Sequence, residues 1–193
     1  MHRTGHRPGV AFARGCTALR SRLTAYRSRR TAHHLGRPCR SRRPLHRLPG
    51  ADEDARGEPF VGEAGKLLDA MLAAINLQRG NNVYITNVLK SRPPGNREPE
   101  SDEIAACRPY LLAQIELIQP RLILALGRVA AQSLLATDET VGHLRGRVHQ
   151  FQGVPLVVTY HPAYLLRKLS DKARAWEDLC LARRTFNSLT PES

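Results

Sequence analysis

Residues 1–50 contain no aspartate, no glutamate and no lysine, but they carry 13 arginines, from Arg3 to Arg47. The whole chain of 193 residues has a formal charge of +13, from 30 Lys+Arg against 17 Asp+Glu. All of that excess resides in the first quarter, and residues 51–193 are neutral. Net charge alone therefore gives no case for nucleic-acid binding by the remainder. No run approaches the about 18–20 apolar residues that a membrane span needs, and no apolar segment follows the basic start as in a secretory signal. An organellar leader would be Arg-rich in the same way, but Pro and Gly interrupt any amphipathic helix here. The four cysteines, Cys16, Cys39, Cys107 and Cys180, include no C-x-x-C. That gives little support to a disulfide scaffold or a zinc ribbon and makes a reducing compartment the default. No internal repeat is present. Residues 1–48 carry too little apolar surface to offset their ordering entropy, and no regular element is expected in them.

From Ala51 onward the texture changes. Ala64, Leu67, Leu68, Met71, Leu72 and Ile75 recur at helical spacing. The β-branched and aromatic run Val83 to Val88 predicts a short buried strand. A Pro/Gly-rich loop follows from Ser91 to Pro99, and Ser101 is expected to cap a helix running to about Ile118, with Asp102 and Glu103 in its first turn. Leu122 to Leu126 is continuously apolar, as in a central parallel strand, and Gly127 turns the chain into a helix over Arg128 to Leu135. Val148–Phe151 and Leu156–Tyr160 predict further strands, and Asp171 to about Leu189 a last amphipathic helix. Strands alternating with helices give an α/β class with a mainly parallel sheet, whose ligands bind at the carboxyl ends of the strands.

Three segments occupy such places: Pro49 to Gly62, Thr86 to Arg97, and Thr159 to Arg167. Each residue has an ordinary structural role open to it. Phe60 can be a core residue, Asn87 a turn former and His161 a hydrogen-bonded loop histidine; Glu53 and Asp54 can face solvent, as can Lys90, Arg92 and Arg97. Together they also suit a flat polar ring. Phe60 can stack on its face, Asn87 can pair with an edge offering one donor and one acceptor, and His161 can stabilise charge developing on a carbonyl oxygen. Lys90 to Arg97 would then meet phosphates.

These segments resemble the motifs of type-4 uracil-DNA glycosylases. The likeness runs from about Pro49 to about Leu181 and includes PFVG-x-AG at Pro59 to Gly65, TNV-x-K-x-RPPGNR at Thr86 to Arg97, LALGR at Leu124 to Arg128, LRGR at Leu144 to Arg147 and TYHPAYLLR at Thr159 to Arg167. The resemblance implies an α/β/α sandwich around a small, mainly parallel four-stranded sheet. It implies a DNA repair enzyme that flips uracil out of DNA and releases it as free base, leaving an abasic site. By motif position, Gly50, Phe60, Asn87 and His161 would bind uracil, with His161 and Glu53 carrying catalysis. Lys90, Arg92, Arg97, Leu165, Leu166 and Arg167 would contact DNA, the last three as a wedge entering the duplex. A monomer in the bacterial cytosol, with no membrane partner, is the family expectation.

The chain departs from that pattern in two places. Arg47 stands where the family has a glutamate, and the strand that should lead into Pro49 is degenerate or missing. Many members also hold a [4Fe–4S] cluster on four cysteines. Here Cys107 alone matches a ligand position, Ser91 replaces a second, and no upstream C-x-x-C exists, so no cofactor is expected. The organisation expected is a basic or aberrant segment over 1–48, consistent with an out-of-frame or mis-assigned stretch, a glycosylase-like domain over 49–189 and a tail over 190–193. Two alternatives follow: an inactive DNA-binding remnant, and a related glycosylase for other deaminated bases.

Overall fold

The strand Leu122–Leu126 (β3) is buried along its whole length, and its side chains alternate between two cores. Leu122, Leu124 and Leu126 face one, Ile123 and Ala125 the other. A strand buried on both faces requires a helical layer on each side. The structure, a computed structural model, describes residues 9–13 (backbone), 60, 62–89 and 97–189. On one face lie the helices Glu63–Ala73 (α1) and Lys172–Ser188 (α6), which contribute Leu68, Met71, Leu72, Ala175 and Leu179. On the other lie Ser101–Ile118 (α2), Arg128–Leu135 (α3) and Val141–Leu144 (α4), which contribute Leu111, Ile115, Ala131, Leu134 and Leu144. The three-layer α/β/α arrangement expected from the sequence is the one observed.

The remaining strands are Gly9–Ala13 (β1), Val83–Asn87 (β2), Val148–Phe151 (β4) and Val154–Thr159 (β5), and the five form one sheet in the order β2-β1-β3-β5-β4. β3 and β5 pair parallel, and β1 pairs antiparallel with both β2 and β3. β2, β3 and β5 therefore all run in one direction, but the expected mainly parallel pairing is not what the described strands show: β3–β5 is the one parallel pairing of four, because β1 lies antiparallel between β2 and β3. β4 joins β5 antiparallel through a tight turn at Gln152 and Gly153, both at positive φ, as the right-handed twist of a two-residue hairpin favours. The sheet thus gains a fifth strand, β1, in the lane between β2 and β3.

That lane corrects one expectation. Residues 1–48 were expected to hold no regular element, yet Gly9–Ala13 lies hydrogen-bonded on both sides, with Ala11 opposite Ile85 and Leu124. The reason is local: GVAFA is an apolar run free of arginine inside the Arg-rich segment. The family's own first strand, upstream of Pro49, falls outside the described residues.

Two further differences are short-range. The N-cap of α2 is Glu100, not Ser101; Glu100 and Glu103 form a reciprocal capping box. Residues Pro162–Arg167 form a helix (α5), followed by a 3₁₀ turn at Leu169–Asp171. Pro162 begins α5 because its missing N–H is not needed in a first turn. Among the described residues, no helix is long and apolar enough to cross a membrane.

Candidate active site

The carboxyl ends of β2, β3 and β5 point the same way, and each delivers one element of the candidate site. β2 ends on Asn87, which is buried. β3 ends at Gly127, whose N–H donates to the Thr159 carbonyl at the end of β5 (2.8 Å). β5 leads to His161, the N-cap of α5.

The imidazole of His161 is oriented by that cap. Its Nδ1 accepts the Ala163 N–H at 3.1 Å. An accepting Nδ1 leaves the ring proton on Nε2, so the far end of the ring is a donor. Gly127 lies directly behind it, at φ +84°, and a Cβ added there would be 2.9 Å from His161 Cβ. No other residue type fits that close approach without moving the histidine.

Phe60 meets His161 from the opposite segment, ring centroids 5.3 Å apart and planes tilted by 31°. The rings are in contact, so a base does not insert between them; it can lie on the Phe60 face with an edge toward His161. The Phe60 backbone is in the left-handed region at φ 60°, a strained setting for a bulky residue. Two neighbours hold it. Arg79 Nη2 donates to the Phe60 carbonyl at 2.9 Å while Arg79 Nε is fixed on Asp69 at 2.9 Å. Gly65 packs against the same carbonyl so closely that a Cβ would fall 1.9 Å from the oxygen. The glycines of PFVG-x-AG and LALGR were visible in the sequence, but their function as seats for Phe60 and His161 needs the third dimension, as does Arg79.

The segment after His161 divides by exposure. Leu165 is 1% exposed and belongs to the core, whereas Leu166 is 44% exposed and Arg167 is also at the surface. Of the two leucines expected to enter DNA, α5 turns Leu165 inward and Leu166 outward. Tyr164 stacks on Tyr160 at 5.2 Å and donates its hydroxyl to Asp171 at 2.6 Å. That bond holds the Asp171 carboxyl below its ordinary range and raises the Tyr164 phenol.

Arg97, expected among the phosphate contacts, is bound to Glu103 through both guanidinium nitrogens at 2.8 and 2.9 Å, with Glu100 3.4 Å away. The hydrogen bond to Glu103 raises the Arg97 pKa and lowers that of Glu103. This arginine completes the cap of α2. Gly50, Glu53, Lys90, Arg92 and Ser91 lie outside the described residues.

The LRGR motif has its own anchor. Arg145 Nε donates to Asp178 Oδ2 at 3.0 Å, its Nη2 reaches Glu177 at 2.8 Å and the Arg174 carbonyl at 2.6 Å, and Gly146 N–H donates to Asp178 Oδ1 at 3.2 Å. Asp178 is completely buried, which pushes its carboxyl above the ordinary range while Arg145 pulls it back.

An iron–sulfur cluster of the family kind needs four thiolates. Among the described residues the cysteines are Cys107, buried in α2, and Cys180, half-buried in α6, and no three His, Cys, Asp or Glu side chains are grouped to hold a metal. The chain's other two cysteines, Cys16 and Cys39, and Ser91 lie outside the described residues.

Residues 47–180 match the family model described as the uracil DNA glycosylase superfamily. The chain is 43% identical over 141 residues to a type-4 uracil-DNA glycosylase of Pyrobaculum aerophilum, covering 69% of this chain and 71% of that one. It is 48% identical over 126 residues to a type-4 uracil-DNA glycosylase of Archaeoglobus fulgidus (61% and 63%), and 44% identical over 128 residues to that of Thermotoga maritima (65% and 66%). The match thus spans about two thirds of the length of these relatives. The chain belongs to the uracil-DNA glycosylase superfamily.

Proposed function

We propose that the protein excises uracil from DNA by hydrolysis of the N-glycosidic bond. The observation that carries this reading is the contact of Phe60 with a His161 whose Nε2 carries a proton, at the carboxyl ends of three like-directed strands. Uracil flipped from the helix stacks on Phe60. Asn87 pairs with its O4 and N3–H edge, a donor-and-acceptor pattern that cytosine's exocyclic amine reverses. As the C1′–N1 bond breaks, its electron pair stays on the base, positive charge develops on the sugar, and water adds to C1′. The His161 Nε2–H donates to the base oxygen on which negative charge develops. One such preorganised donor typically contributes about 3–4 kcal/mol.

Gly50 and Glu53 complete the pocket in this reading, Glu53 positioning the water. Lys90, Arg92, Leu166 and Arg167 engage the strand that carries the uracil. The glycosylase unit spans 49–189 and acts as a monomer in the cytosol, without an iron–sulfur cluster, since Ser91 takes a ligand position and the sequence has no C-x-x-C to join Cys107.

Incubation of purified chain with a uracil-containing oligonucleotide, followed by alkali, tests the proposal. Strand breaks that fall strongly in His161→Ala and Asn87→Ala are expected. Absence of breaks with well-folded protein points to a DNA-binding remnant. Breaks at hypoxanthine or at thymine mispairs, with none at uracil, point to a glycosylase for other bases.

A further inference from the structure

Leu169 is 63% exposed, the most exposed large apolar side chain among the described residues, and it projects from the 3₁₀ turn between α5 and α6. An isolated exposed leucine is ordinary. This one is not on a floppy loop. The turn is fastened at its next-but-one residue, Asp171, which is buried, accepts the Tyr164 hydroxyl at 2.6 Å, and has Lys168 and Arg174 at 3.7 and 3.3 Å. Tyr164 in turn stacks on Tyr160, the residue before His161. The position of Leu169 is thereby tied to the catalytic loop through two successive side-chain contacts.

Its surroundings carry one sign of charge. From Leu166 to Arg174 there are four cations, Arg167, Lys168, Lys172 and Arg174, all at the surface, and one carboxylate, Asp171, which is inside. Two exposed leucines, Leu166 and Leu169, thus stand in a cationic rim on a braced support. Apolar tips that replace lost base stacking, surrounded by groups that bind phosphate, suit duplex DNA. We propose that Leu169 is a second duplex-engaging residue, acting beside Leu166 to hold the helix open while the uracil is in the pocket. The proposal rests on the reading of the site as a uracil excision centre. It extends the DNA contact beyond the TYHPAYLLR motif into the turn that follows.

The contribution of a wedge appears only where stacking has to be broken. The experiment compares excision from duplex and from single-stranded oligonucleotides of the same sequence, for wild type, Leu169→Ala, Leu169→Asp and a control, Leu117→Ala, whose exposed leucine lies on α2. The ratio of duplex to single-strand kcat/KM is expected to fall about tenfold in Leu169→Ala and further in Leu169→Asp, and to hold in the control. In parallel, fluorescence anisotropy measures binding to a duplex carrying a tetrahydrofuran abasic analogue, which needs no catalysis. Binding is expected to weaken about tenfold in Leu169→Ala. An unchanged ratio together with unchanged analogue binding overturns the proposal. A wild type that excises from neither substrate but binds the analogue, with binding weakened by Leu169→Ala, sinks the excision reading and leaves the role of Leu169 in duplex binding standing. Melting curves of the variants are expected to overlay, because the side chain is outside the core.

Discussion

Replacing Gly127 by alanine tests whether His161, the proposed catalytic residue, is held by its neighbour's lack of a side chain. Two effects follow from the geometry. The backbone, at φ +84° and ψ 179°, is a conformation nearly confined to glycine, and an alanine there costs about 1–3 kcal/mol of stability. The new Cβ would also be 2.9 Å from His161 Cβ, inside the about 3.5–4.0 Å at which carbon atoms attract. Relief moves the ring by roughly 1 Å, enough to slow a step that depends on exact placement by about 10²-fold. Gly153→Ala separates the two effects. Gly153 has a similar φ of +79°, but a Cβ added there would meet nothing within 4 Å, so that variant carries backbone strain and no contact with the site. Single-turnover excision at saturating enzyme, with a thermal melt of each variant, reads both quantities. Both variants are expected to melt lower, whereas Gly127→Ala alone loses about two orders of magnitude in rate. A Gly127→Ala rate within about threefold of wild type, or an equal loss in Gly153→Ala, would refute the reasoning.

Arg79→Ala removes the side-chain donor from the Phe60 carbonyl and is expected to weaken product-uracil binding several-fold, measured by inhibition with free uracil. Arg145→Met leaves Asp178 buried without its cation, which costs about 3–5 kcal/mol at neutral pH in urea unfolding. The sign of the pH effect is fixed by the direction of the shift. Burial places the folded carboxyl above its unfolded value, so between the two the folded state binds more proton and stability falls as pH rises. Loss of Arg145 widens that interval; the deficit of Arg145→Met is therefore expected to shrink toward acidic pH, and a deficit independent of pH contradicts the assignment. Iron analysis and a visible spectrum of protein purified without oxygen are expected to give no iron and no visible absorption.

What could be read in the sequence was whatever repeats locally. The continuous apolar run Leu122 to Leu126, the β-branched run of β2 and the helical spacing of Leu68, Met71, Leu72 and Ile75 are local patterns, and they fix the layers. The site residues were legible as motifs, because Phe60, Asn87 and His161 each follow a strand or a turn. The rest depends on contacts between distant residues. Arg145 and Asp178 are 33 positions apart, and no spacing rule connects them. Leu165 and Leu166 are chemically identical and adjacent, and only the hydrogen-bonded cap at His161, which sets the phase of α5, decides which one is buried. β1 was hidden because its five residues are too short to register against the arginines around them.

Among the described strands, β1 is first in the chain, and it occupies an inner lane. Its partners β2 and β3 begin about 70 and 110 residues later. At a synthesis rate of about 5–20 residues per second, it waits several seconds for both neighbours to emerge from the ribosome. Until it inserts, β2 and β3 border an empty lane with unpaired backbone on each side. Pairings of such long sequence separation form slowly. An open lane also accepts any matching strand, including the same pentapeptide from a second molecule. The two pairings of longest sequence separation among the described strands thus both run through β1, and its lane is the place where two chains, folding at high concentration, would exchange strands.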